Sequence, residues 1–354
     1  GRITATARGA ITQSGVITVA KESNWTAQSS DGNTDYDITL ENASNNFVGN
    51  LKVTAANVSI KDTGTTTISA TNVSGNYSLT TTGGVTDNGA INIEGTTTIS
   101  SPGSNIALSD TANAKLNDFT GAVSVEGANV TLVDANSIVL GTADVTGTYA
   151  VTAVDGNITD TGTLTVAGTT TLTTSANNAT ITLDTATNAF TGAVTITTND
   201  DSGTDADVVI DGGTTALVIA ASTIDGDLTL TSGNASGITD SGTVTVGGNL
   251  IATTDANNGV INMGTMAVTG TVALTTNGSG NATLDNGSLN LDLAASNVGG
   301  NLTVTSGDSN GITDSGTVTV GGDFSATTDA NSGVINMGTM AVDGTFTLAP
   351  NSTG

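Results

Sequence analysis

The sequence predicts an all-β fold: one continuous parallel β-helix (β-solenoid) over residues 1–354, of roughly 16 coils in five modules. Three observations lead there. One is an internal repeat, another is a period-two alternation of aliphatic residues with threonine, and the third is a composition nearly free of charge and of aromatic rings.

The repeat is the strongest of the three. GITDSGTVTVGGNLIATTDANNGVINMGTMAVTGT (237–271) returns as GITDSGTVTVGGDFSATTDANSGVINMGTMAVDGT (311–345), with 30 of 35 positions identical at an offset of 74. Weaker copies of the opening stand at AITQSGVITVA (from Ala10), GVTDNGAINIEG (from Gly84) and NITDTGTLTVAG (from Asn157). Ile11, Val85, Ile158, Ile238 and Ile312 mark the same position in each, so modules begin near 10, 84, 157, 237 and 311. A second marker, Asn-x-Phe followed by Val/Thr-Gly, places Phe47, Phe119 and Phe190 at steps of 72 and 71.

Within a module the pattern is strand, turn, strand. Thr163–Val166, Thr170–Thr173 and Thr180–Leu183 alternate aliphatic residues with threonine, as a strand with one buried face does. Gly, Asn and Asp punctuate every five to nine residues, and are expected to supply the positive-φ positions of the corners. Aromatic residues are only 3% of the chain, too few for the cores of sandwiches or propellers but enough for a narrow solenoid filled by Val, Ile, Leu and Ala. Coils of roughly 19–25 residues give three or four coils per module.

Composition excludes several functions. Charged residues are 11% of the chain, with six basic against 32 acidic, a net charge of −26. All six cations (Arg2, Arg8, Lys21, Lys52, Lys61, Lys115) precede residue 116. Nucleic-acid binding, which requires Lys and Arg to neutralise phosphates, is excluded. No apolar run reaches the ~20 residues of a membrane helix, so membrane insertion is not expected. With no His and no Cys, nucleophilic triads are excluded. The lack of Cys also suits a chain exported unfolded through an outer-membrane pore. No signal peptide is present, which predicts a mature chain or one excised from something larger.

The string NDFTGAVSVEGANVTLVDANSIVLGTADVTG (117–147), followed by GNITDTGTLTVAGTTTLTT (156–174), resembles the repeats of filamentous-haemagglutinin-like bacterial adhesins, and every module carries some version of it. Those are exoproteins exported by two-partner secretion. The resemblance implies a right-handed parallel β-helix exposed on the bacterial cell surface or secreted, acting as the non-catalytic shaft of an adhesin or of a fibre such as those in biofilms. It transfers no site residue: the family's secretion domain, its receptor-binding regions and any Arg-Gly-Asp are missing.

An enzyme is not expected. A carbohydrate-binding or carbohydrate-active β-helix, the catalytic rival, would need clustered carboxylates, whereas most Asp lies in repeated turn strings such as Thr-Asp-Ser-Gly (239–242, 313–316) and Thr-Asp-Ala-Asn (254–257, 328–331). The least repetitive acidic stretch offers Asp200, Asp201, Asp205 and Asp207 as candidate Ca²⁺ ligands, with an echo at Asp31, Asp35 and Asp37. A solvated loop is the plainer reading, and no other cofactor is implied. Asn-X-Ser/Thr sequons (Asn24, Asn72, Asn129, Asn281) arise readily in so Asn-rich a chain. Thr243 with Thr245, and Thr317 with Thr319, are either a flat hydroxyl array of the ice-binding kind or ordinary strand alternation. Trp25, with Lys21 and Glu22, marks the most irregular coil, as a contact site or simply as irregular shaft.

Both ends read as uncapped sheet edges, which predicts either a segment of a larger exoprotein or a filament subunit stacking end to end with itself; lateral association is also open to so uncharged a surface.

Overall fold

A computed structural model describes residues 1–109, 116–201, 205–329 and 333–351. Among them no helix occurs, and the strands of the coils pair in parallel. The chain divides into two compact units, Gly1–Gly168 and Thr169–Gly354. Each is a parallel β-solenoid with two sheets facing across a common interior, and together they make about 16 coils, the predicted fold class.

In the first unit one sheet begins with Ile3–Ala7, Ser23–Ala27, Asn50–Ala55 and Thr66–Val73, and ends with Val130–Asp134 and Tyr149–Ala153. The other runs through Ile38–Leu40, Val58–Asp62, Tyr77–Thr81, Thr97–Ser100, Val123–Gly127 and Ile138–Val145. In the second unit one sheet includes Ile238–Asp240, Ile261–Met263, Ala282–Asp285, Leu302–Ser306, Phe324–Thr328 and Phe346–Ala349. Its partner includes Val208–Asp211, Leu228–Ser232, Leu250–Asn257, Thr271–Asn277, Leu291–Leu293 and Ile312–Asp314.

Alternation decides what is inside. Asn50–Ala55 buries every second residue, and Leu51, Val53 and Ala55 are sealed. Parallel pairing then stacks like on like: Val208, Leu228, Leu250 and Val272 form one interior column. Another passes through the sealed Leu302 and Phe324, and Phe346, on the last coil and exposed, stacks its ring on that of Phe324 at 5.1 Å. Sealing each such side chain stabilises the fold by about 1.5–3 kcal/mol. The marker phenylalanines Phe47, Phe119 and Phe190 are all fully buried.

Coil length varies more than the sequence suggests, from 17 residues (Leu51 to Ile68) to 28 (Ser23 to Leu51). Part of the longest coil's excess is the excursion closed by the antiparallel bridge between Gln28 and Asp35. A module is not a whole number of coils. From Ile238 the register steps through Ile261, Ala282 and Leu302, yet its repeat equivalent Ile312 lies in the opposite sheet. Tyr77 and Tyr149 likewise occupy opposite sheets of the first unit. One module is therefore three and a half coils, and successive modules present equivalent residues on alternate sheets.

The corners differ from the expectation in their cause. Among described residues positive φ is confined to Asn178, Asn258 and seven glycines, Gly237 and Gly311 among them. Most corner glycines are required by contact instead. A Cβ on Gly121 would stand 2.3 Å from the carbonyl oxygen and 2.5 Å from the carbonyl carbon of Gly95, one coil away. Gly121→Ala is expected to cost about 2 kcal/mol in urea unfolding, because backbone cannot yield as a side chain does. Gly264→Ala, where a Cβ meets nothing within 4 Å, should change stability by less than about 0.5 kcal/mol.

Candidate functional site

The polar residues of the surface are organised as ladders along the corners, not as a pocket. In the second unit Asp207 Oδ1 accepts the Asp227 amide at 2.8 Å, Asp227 Oδ1 accepts the Asn249 amide at 2.6 Å, and Asn249 Oδ1 accepts the Thr271 amide and hydroxyl, both at 2.9 Å. The ladder repeats 74 residues on, as Asn281 to Asn301 to Asp323 to Thr345, with amide bonds of 2.8, 2.8 and 2.7 Å. In the first unit Asp37, Asn57, Asn76 and Thr96 form the same series. At each corner the side chain of one coil takes the backbone N–H of the next, an acceptor for a donor that has no strand partner.

Other polar residues are committed in the same way. Asp240, of the repeated Thr-Asp-Ser-Gly, accepts the Gly264 amide at 2.8 Å and the Thr265 amide at 2.9 Å, and also holds the Thr265 hydroxyl. Asp314 repeats this on Gly338 and Thr339. The two halves of the repeated string thus clamp each other across adjacent coils. Where a strand bends after Ala220, Ser222 Oγ accepts the Ile196 amide and donates to the Ala220 carbonyl, and Ser296 does so for Leu274 and Ala294.

The acidic stretch singled out in the sequence is spread out by the fold. Asp207 is the first rung of a ladder, Asp201 accepts from Asn177 Nδ2 at 2.8 Å, the Asp200 amide donates to Asp225 Oδ2 at 2.9 Å, and Asp205 is exposed. Residues 202–204 of that stretch lie outside the described residues. Among the described residues no group of three or more His, Cys, Asp or Glu is placed to hold a metal ion. In the echo, Asp35 receives Gln28 and Ser74, and Asp37 begins a ladder. Asp31 is held down to about 2 by the Ser29 hydroxyl and then by Asn33.

Trp25 is core, edge-on to Phe47 at 6.2 Å. Near it Arg2 and Glu22 approach at 3.8 Å on the exposed surface, a pair of small energetic weight. Thr245 stands between Thr223 and Ala267, and Thr319 between Asn297 and Ala341, so alanine interrupts both hydroxyl rows. The sequons at Asn129 and Asn281 follow from the ladder: a corner Asn, an inward aliphatic residue, then an outward Thr.

Sequence reasoning missed a concavity on one of the faces. The pairing of Val123–Gly127 with Ile138–Val145 slips between Val123 and Val125, leaving a shallow depression of about 340 Å³ lined by Ser100, Ser124, Glu126, Thr142 and Asp144. Ser100 Oγ donates to Glu126 Oε2 at 2.6 Å, and Glu126 pairs in register with Asp144. The sequence signal is Gly141, an extra residue inside an alternating run.

The chain belongs to a family of repeats of unknown function, DUF5649, whose model matches residues 1–54, 55–126, 127–197, 205–262 and 279–335. No curated protein and no solved structure matches it.

Two outcomes follow. Asn76→Ala removes the acceptor of both Thr96 donors and should cost about 1 kcal/mol, while Asn76→Asp, which keeps the oxygen, should recover most of it in urea titration. Buried Asp134 accepts the Phe119 and Asn136 amides, yet burial pushes its carboxyl up to about 6 from 3.8. The fold therefore binds this proton more tightly than the unfolded chain, and the associated stability is complete below pH 3.8 and lost as pH rises through 6. Relative to Asp134→Asn, the native chain should lose about 2 kcal/mol between pH 4 and 7; parallel pH profiles would show the carboxyl is not strained.

Proposed function

We propose that this chain is a structural shaft segment of an extracellular bacterial surface adhesin or fibre, displayed on the cell or secreted, with no catalytic role. The observation that carries this reading is the corner ladder. Side chains that an enzyme would gather on a substrate are here used one coil at a time on the backbone of the next coil. Stability then resides in coils and their neighbours, so length can grow by repetition without a new core. The resemblance of 117–147 and 156–174 to filamentous-haemagglutinin-like repeats agrees with this, as does a net charge of −26, which keeps a long surface soluble.

Deletion of residues 237–310 from the full-length protein tests the shaft directly, because the string from Gly311 then replaces its near-identical copy from Gly237. The shortened protein is expected to fold, to reach the surface as immunogold labelling of intact cells would show, and to retain attachment. Its far end should move inward by about 17 Å, three and a half coils at ~4.8 Å each. Loss of attachment by the folded, displayed deletion would place function within these residues. Label confined to the cytoplasm would end the extracellular reading.

A further inference from the structure

The Tyr77 phenol and Thr97 Oγ1, inside the first unit, have no partner in the protein. Both residues are sealed, at 1% and 0% exposure, and they are neighbours in register on consecutive coils. Val58 precedes them in the same interior column and Val123 follows, so the column is otherwise aliphatic. Valine or phenylalanine would fill the same space without a polar atom, and a hydroxyl sealed among aliphatic groups gives up its hydration for nothing.

Tyr149, 72 positions after Tyr77, is likewise buried with a phenol lacking a protein partner. Burial first, and then the charge of Asp62, raise the Tyr77 phenol above its ordinary range, so it remains a proton donor wherever the protein is folded. Asp62 itself is nearly sealed and accepts the Phe47 and Gly64 amides and the Thr66 hydroxyl, which makes this the polar end of an apolar interior.

Buried polar groups without protein partners are met in native proteins by ordered water making two to four hydrogen bonds. We propose that Tyr77 and Thr97 together bind an ordered internal water molecule that links two consecutive coils. The phenol donates to it, and the threonine hydroxyl exchanges a second bond with it. Such a link forms only when these two coils are adjacent, so the bound water marks the register of stacking within an otherwise uniform aliphatic column.

The test uses the full 354-residue chain with Tyr77→Phe, Thr97→Val and the double variant, read by urea unfolding and by oxygen-17 relaxation dispersion of water, which detects long-lived internal waters. Either single variant is expected to lower the unfolding midpoint and to remove one long-lived water, with the double variant no worse than the poorer single one. Thr97→Ser, which keeps the hydroxyl, should keep the water. A raised midpoint in Tyr77→Phe would overturn the proposal, as would unchanged water relaxation or two additive losses, because each hydroxyl would then be tolerated alone.

Discussion

The backbone of each coil hydrogen-bonds to the backbone of the next, and this parallel pairing constrains nearly every other residue choice. Along the strands it places each inward side chain directly over its counterpart, so the interior sorts itself into columns of Val, Leu, Ile and Phe. At the corners the carbonyls of the ladder residues still accept from the preceding coil, but their own amides need acceptors. Asn, Asp and Ser provide them, at Asn57, Asn76, Asp227, Asn249 and Ser222. Where coils come closest there is no room for a Cβ, and glycine sits over glycine, as Gly121 over Gly95. Even the buried carboxylates obey the same demand: Asp62 and Asp134, 72 residues apart, each accept the amide of a marker phenylalanine.

Much of this was legible in the sequence. The 74-residue identity gave the modules, and the alternation around Thr170 and Ile181 gave strands with one buried face, as found. The Asn-x-Phe marker pointed to residues that prove to be core. The role of the corner residues was misjudged, since Gly, Asn and Asp suit positive φ and close stacking alike, and only the neighbouring coil reveals which applies. The half-coil offset was invisible for a related reason. Coil length ranges from 17 to 28 residues, so no short period exists to be counted, and identity at 74 says nothing about the sheet on which a residue lands. The acidic stretch near Asp200 was conspicuous as a cluster in sequence, but the coil geometry sends Asp201 to Asn177 and Asp207 to Asp227.

The distribution of polar chemistry bears on what sort of molecule this is. Most Asn and Asp side chains described above are committed to a specific backbone donor. The depression beside Glu126 lies at a register slip, and the slip itself recurs: the same one-residue step stands between Lys52 and Thr54 in the preceding module. Irregularity of this kind is part of the repeat.

The half-coil offset also fixes how the modules would appear to a partner. Because equivalent residues alternate between sheets, as Ile238 and Ile312 do, each module is related to the next by a half turn combined with a rise of about 17 Å. Within the second unit, a partner approaching one sheet meets the side chains of one module, while a partner at the opposite sheet finds their copies in the next. A ligand gains avidity from both copies only if its own binding sites can reach around to opposite sheets.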